Sequence, residues 1–289
     1  MPWVKLSQLP GMRAFSDGFT DLVRWEIRDG SVWFHGSKRL RSANADSFEL
    51  WGDDCTFLAR DDAHVYYGAS ILRKIDVKMF EALGCRYFRD EKFAYIERES
   101  SLATLKGRDV PNFQVLGNGY ARDSVYGYYW GSPLRACINP LSLRLIESDI
   151  EFADSFAQDD RHIYYEQAAL KDVDPATWEL LPQGCFSWDA ERVYWGASKL
   201  PGANRNTWKI LEAPYSNDSR SVYFTRFRLR GANPVNFRLL EDGYSTDGVH
   251  VYFIGGLVEG ADAATFKVTS KCCATDKYGG IERGYRVKK

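Results

Sequence analysis

An aspartate that returns every 29 or 30 residues constrains this chain more than any other feature. Asp159, Asp189, Asp218 and Asp247 stand 30, 29 and 29 apart, and a further step of 29 reaches Asp276. Four residues after each of the first four comes a β-branched residue with two aromatics: Ile163-Tyr164-Tyr165, Val193-Tyr194-Trp195, Val222-Tyr223-Phe224 and Val251-Tyr252-Phe253. Upstream the same unit begins at Asp61, with Val65-Tyr66-Tyr67, and again 29 later at Asp90. It recurs less cleanly at Asp123, with Tyr128-Tyr129, and at the head of the array near Asp29, with Val32-Trp33-Phe34. That makes eight units. A fixed period of this length marks one small supersecondary module copied in tandem.

Further columns keep the same period. An aromatic follows the aspartate by nineteen residues (Phe80, Trp178, Trp208, Phe237, Phe266), with Phe48 and Phe113 in equivalent places. Four residues before it stands Asp or Asn: Asn44, Asp76, Asp109, Asn139, Asp174, Asn204, Asn233, Asp262. The triplet has the composition of a half-buried strand. A nearby glycine, such as Gly68 or Gly196, turns the chain back into a second, shorter strand. The Asp/Asn then caps one helical turn, accepting from N–H groups two and three residues on. Phe237-Arg238-Leu239-Leu240 reads as a third short strand, and the repeating aspartate as an Asx-turn former ahead of the triplet.

A unit of three short strands cannot bury its own aromatic face, but stacked units wall one another in. The expected fold is therefore all-β, with short antiparallel strands and one capped turn per module. The modules would be stacked as a curved array, with a closed propeller-like ring as the alternative. Residues 1–27 would cap one end, 28–276 would hold the eight repeats, and the basic tail 277–289 would cap the other. Uncapped terminal strands invite aggregation.

Lys+Arg 38 against Asp+Glu 39 give a net charge of −1, without the basic footprint of a dedicated nucleic-acid binder. The uncharged runs, Ser124 to Leu134 and Gly248 to Val258, are too short to span a bilayer as helices. The first thirty residues hold no apolar signal segment, so a cytoplasmic protein with reduced thiols is expected.

The pattern Asp-x-x-x-Val-Tyr-Tyr with a downstream Asp-x-x-Thr-Phe resembles the DKNYY family of bacterial repeat proteins. Asp159 to Tyr165, Asp247 to Phe253 and Asp262-Ala263-Ala264-Thr265-Phe266 carry the resemblance best, and it extends over roughly 28–276. It is weakest in the units with Ala94-Tyr95-Ile96 and Gly127-Tyr128-Tyr129. The resemblance brings no catalytic residues. It implies an antitoxin or immunity partner in an interbacterial toxin system.

Catalytic and metal-binding patterns are not found. His64, His162 and His250 fill one column, three after the aspartate, which would set them a module apart, too far to share a metal. His35 follows the first triplet. One carboxylate per module lacks the clustered oxygens of a calcium site. Cys55, Cys85, Cys137 and Cys185 have no C-x-x-C partner, and the adjacent Cys272-Cys273 suits a tetrahedral site poorly. Gly117-Asn118-Gly119 is half a dinucleotide fingerprint without its third glycine or a βαβ unit. No cofactor or metal is expected, and a binding scaffold is favoured over an enzyme.

Because the repeats serve as their own control, positions that break a column are the candidates for partner contact. The units at Asp90 and Asp123 run 33 and 36 residues, with the excess near Glu97 to Lys106 and Asp149 to Gln158. Such insertions map to loops, often on a binding face. Glu97 and Glu99 lie in the first, and Asp149, Glu151 and Asp154 make the second acidic. Trp130 replaces Gly68 and Gly196, Trp188 replaces Asn217 and Thr246, and Phe227 replaces Ser70 and Ser198. Arg226, Arg228 and Arg230 alternate as if on one strand face, while Arg60, Arg89 and Arg122 would form a short basic stripe.

The expected function is a non-catalytic scaffold that neutralises a cognate protein toxin by occluding its active surface, with no nucleic-acid or membrane partner. A carbohydrate- or envelope-binding module is the second expectation, and an enzyme with an unrecognised site the third.

Overall fold

The computed structural model describes residues 3–15, 22–52, 57–98, 101–105 and 109–287. The chain is all-β. It forms nine small antiparallel sheets, none closed into a barrel, each a meander of four consecutive strands; the second sheet gains a fifth from Trp3–Lys5. In chain order the sheets occupy 13–39, 49–71, 81–104, 114–133, 144–169, 179–199, 209–228, 238–257 and 267–286. The first four belong to one compact unit, Met1–Leu141, and the last five to a second, Ser142–Lys289.

Each sheet is centred on its aspartate rather than led by it. In the seventh, Lys209–Glu212 and Tyr215–Asn217 precede Asp218, while Val222–Phe224 and Phe227–Arg228 follow. A module counted from aspartate to aspartate thus straddles two sheets. The eight expected units plus the closing Asp276 become nine sheets, each with four strands instead of three. The missed strand is the one ending just before the aspartate. Residues 13–28 supply two strands of the first sheet, and Gly279–Glu282 and Tyr285–Arg286 two strands of the ninth.

Size complementarity sets the pairing in most sheets, the third being an exception in which Phe88 faces Tyr95. The central tyrosine of the triplet is buried opposite a small residue: Ala59 faces Tyr66, Ala121 faces Tyr128, Ser187 faces Tyr194 and Ser216 faces Tyr223. The third residue of the triplet meets an aromatic on the second strand instead. Trp25–Phe34, Tyr120–Tyr129, Phe186–Trp195 and Tyr215–Phe224 lie 4.7, 4.8, 4.6 and 4.8 Å apart between ring centres. Such cross-strand aromatic pairs are the stabilising unit of a sheet face.

The connector aromatic joins one sheet to the next. Phe237 sits 5.9 Å from Tyr215 of the seventh sheet and 6.0 Å from Tyr252 of the eighth. Phe48 does the same between Trp25 and Tyr66, at 5.3 and 5.4 Å. The cores accordingly run between neighbouring sheets of a unit, as in the cluster holding Tyr215, Val222, Leu229 and Tyr252. The Asp/Asn ahead of the connector aromatic forms the expected capped turn in several modules, Asn204 Oδ1 accepting from the Asn206 N–H at 3.1 Å and Asn233 Oδ1 from Val235 at 3.0 Å, whereas Asp109 makes no side-chain cap bond.

Candidate partner-binding surface

Meander topology gives every sheet two ends. The hairpin between the second and third strands carries the aspartate; the other two hairpins lie together at the far end. The two ends are chemically unlike.

At the aspartate end of the second to ninth sheets the carboxylate is buried and hydrogen-bonded, whereas Asp29 of the first sheet is exposed. Asp61 Oδ1 accepts from the Ala63 and His64 N–H groups at 2.9 and 2.7 Å. Its Oδ2 accepts from the Tyr66 hydroxyl at 2.8 Å and from the Asn44 N–H of the incoming connector at 2.9 Å. The pattern repeats down the chain. Asp189 takes Glu191, Arg192, Tyr194 and Asp174, while Asp218 takes Arg220, Ser221 and Asn204. In the ninth sheet Ile281 replaces the tyrosine, and the Arg286 guanidinium reaches Asp276 Oδ2 at 2.8 Å in its stead. Each node ties a hairpin, a strand and a connector, so the column is scaffold. It does more than the Asx-turn expected of it.

Burial raises these carboxyls, but the converging N–H and hydroxyl donors outweigh it and hold Asp61, Asp159 and Asp189 below the ordinary value. The histidine column belongs to the same nodes. His162 Nδ1 lies 3.2 Å from Asp159 Oδ1, and His250 Nδ1 3.2 Å from Asp247 Oδ2, one imidazole per aspartate. Among the described residues no three His, Cys, Asp or Glu gather as metal ligands would. Cys85, Cys137, Cys185, Cys272 and Cys273 are free of disulfides.

The far end is regular in backbone and irregular in side chain. A residue at or near the end of each third strand donates its N–H to a carbonyl at the start of the second strand or just ahead of it, which ties the two far-end hairpins together. The donors are His35, Gly68, Glu97 and Trp130 in the first unit, and Glu166, Gly196, Thr225, Ile254 and Arg283 in the second, at 2.7–2.9 Å throughout. All but Glu97 sit in the left-handed region, with φ from 44° at Trp130 to 55° at Gly68. One conserved-geometry corner therefore displays nearly every kind of side chain.

Both insertions are at far ends. The first lengthens the hairpin between Ala94–Arg98 and Ser101–Thr104, where Glu97 pairs with Leu102; Glu99 lies outside the described residues. The second, 146–155, joins the first two strands of the fifth sheet and exposes Glu147, Asp149, Glu151 and Asp154. Trp130 is 41 % exposed at its corner, its ring laid so closely on Gly119 that a Cβ there would come within 2.5 Å. Arg226 and Phe227 are exposed at the far hairpin of the seventh sheet, the guanidinium 4.8 Å from the ring centre.

Trp188 is the exception, standing at the aspartate end. Its Nε1 donates to Glu179 Oε2 at 2.9 Å, and the Arg205 guanidinium covers its ring at 3.3 Å. The alternating arginines do not share a strand: Arg226 is in the turn, Arg228 in the strand Phe227–Arg228, and Arg230 beyond it. A two-residue strand is too short to carry the alternation. Two arginines of the expected basic stripe are ion-paired, Arg60 with Glu49 at 2.9 Å and Arg89 with Glu81, while Arg122 Nε donates to the Gln114 amide oxygen at 3.1 Å. Sequence reasoning missed Ile254 and the acids Glu166, Glu212, Glu241 and Asp242 at the far ends of the second unit. Ile254 was visible, since it replaces Gly68 and Gly196 just as Trp130 does.

These features define a tandem β-meander repeat protein. Its residues 12–99 and 156–280 match the DKNYY family model, and the chain belongs to the DKNYY family. The unmatched 100–155 contains Trp130 and the acidic insertion, so the match is shorter than the expected 28–276 and breaks where the repeats depart most from their own pattern. No curated protein and no solved structure matches the chain. Among the described residues no helix is long and apolar enough to cross a membrane.

Proposed function

We propose that this chain is a non-catalytic protein-binding scaffold that acts as an immunity protein, covering the active surface of a cognate toxin with the far ends of its sheets. One observation carries the reading: the corner from His35 to Arg283 keeps its hydrogen bond while its side chain changes from sheet to sheet. A position held by structure alone would repeat its residue, as the aspartates do. Within each unit, a hydrogen-bonded corner that tolerates different side chains is what selective recognition needs at low entropic cost. Trp130 and Arg226 are of the residue types that anchor interfaces, and the carboxylates of 147–154 would set charge complementarity. The toxin assignment itself leans on the family, and a cytoplasmic location goes with it.

The test is capture from the host bacterium with the full chain as bait, followed by affinity measurement. A tight inhibitor buries on the order of 1,600 Å² and gives one dominant partner. Trp130→Gly relaxes the left-handed corner, so it should leave the fold intact and weaken binding about tenfold or more. Glu151→Lys with Asp154→Lys is the second arm. Unchanged affinity in both variants removes the far ends from the interface. The exposed Trp130 also supports a second reading, a sugar-stacking module, and specific glycan binding without a protein partner would select it.

A further inference from the structure

The far ends of the seventh and eighth sheets enclose a groove of about 490 Å³. Pro214, Tyr215, Phe224, Leu239, Tyr244 and Ile254 form its apolar walls. Three exposed carboxylates, Glu212, Glu241 and Asp242, stand at its mouth. None of the three makes a side-chain hydrogen bond or ion pair among the described residues. Ile254 is the second observation. It holds φ 48°, a left-handed backbone that is unfavourable for a β-branched residue, yet remains 54 % exposed over the groove. Gly243 makes room for it, since a Cβ there would lie 3.2 Å from Ile254 Cγ1. The left-handed corner is shared by other sheets; what is particular to the eighth is the exposed isoleucine that fills it at the lip of a groove, and an apolar side chain left in water there points to a use for that cavity.

An apolar channel with an acidic mouth fits one kind of side chain: a long aliphatic stem ending in a cation. We propose that this groove receives a lysine or arginine side chain of the partner polypeptide, the stem against Leu239 and Ile254 and the charge among the three carboxylates. The proposal rests on the reading of the far ends as the partner surface and names the chemistry that one part of it selects.

The test uses the full chain with n-butylguanidinium and n-pentylammonium as probes, and n-pentanol and n-pentanoate as controls, followed by methyl and amide NMR. The cations should saturably shift the Ile254 methyl and Gly243 amide signals. Neutralising the mouth with Glu212→Gln, Glu241→Gln and Asp242→Asn should weaken them about tenfold. Ile254→Gly, which relieves the strained corner, should weaken both cations while near-UV circular dichroism stays native. Equal shifts from pentanol or pentanoate, or affinity unchanged by neutralisation, would overturn the proposal. Partner capture sensitive to Trp130→Gly but indifferent to the groove variants would sink the groove alone. Cation binding without any protein partner would sink only the broader reading.

Discussion

Tyr164 donates its hydroxyl to Asp159 Oδ2 at 2.6 Å, from five residues further along the chain. Asp159 also holds the Arg161 and His162 N–H groups at 2.8 and 2.6 Å, so the two residues are unequal partners. Removing the tyrosine hydroxyl leaves the carboxylate other donors; removing the carboxylate strands several buried donors at once.

Tyr164→Phe should therefore cost about 1–2 kcal/mol and Asp159→Ala about 3–5 kcal/mol, at about 1–3 kcal/mol for each stranded group. Urea unfolding of the two variants measures the difference. Equal losses would mean that the hydroxyl, and not the hairpin amides, dominates the node.

Acid sensitivity follows from the same nodes. Burial raises the Asp247 carboxyl, but the His250, Asn233 and Val249 N–H groups and the His250 ring together bring it from 3.8 to about 2. A carboxyl depressed on folding stabilises the native state above its unfolded value, and that stability is lost as pH falls. Asp247 should contribute about 2 kcal/mol at neutral pH, disappearing between about pH 4 and pH 2. The urea midpoint of Asp247→Asn should start lower and vary less across that window.

At the alkaline side the sign reverses. Burial first, and then the Asp247 charge, push the Tyr252 phenol from 10.0 up to about 12. A raised phenol stabilises the fold below its unfolded value, and the contribution is lost as pH climbs from about 10 to 12. Phenolate absorbance should show Tyr252 ionising late and together with unfolding. Tyr252→Phe should remove that component from the titration.

Two glycines separate backbone strain from steric clash. Gly255 has φ 76°, and a Cβ there would come 2.6 Å from Phe224 Cγ; Gly260 has φ 71° and nothing within 4 Å. Gly260→Ala should cost about 1 kcal/mol from the left-handed backbone alone. Gly255→Ala must also displace a packed ring and should cost about 3 kcal/mol or more. Thermal unfolding of the pair checks the ordering.

The period, the all-β class and the capped turns were legible because aspartate, aromatic and Asp/Asn recur at positions where geometry tolerates few substitutes. The phase was not. The strand before the aspartate is short, three residues in most sheets as in Tyr215–Asn217, and its centre is usually a small residue facing the tyrosine. Ser216 and Ser245 are small and polar, so their composition does not mark them as strand centres although both are fully buried. Trp130, Glu97 and the acidic insertion were legible as exceptions to the repeat. That they share the far ends follows from four-stranded pairing, which no linear spacing displays. Trp188 broke its column as visibly as Trp130 did, yet Glu179 and Arg205 engage it, and partners brought in by folding leave no mark in a single column.

Among the described residues no hydrogen-bonded ladder passes from one sheet to the next; neighbours within a unit meet through aromatic rings and connector amides. A duplication or loss of one 29-residue segment would thus preserve every remaining ladder and ask only that two ring surfaces be rejoined. Such a gene can change its length as readily as its corner residues, by recombination as well as by point substitution.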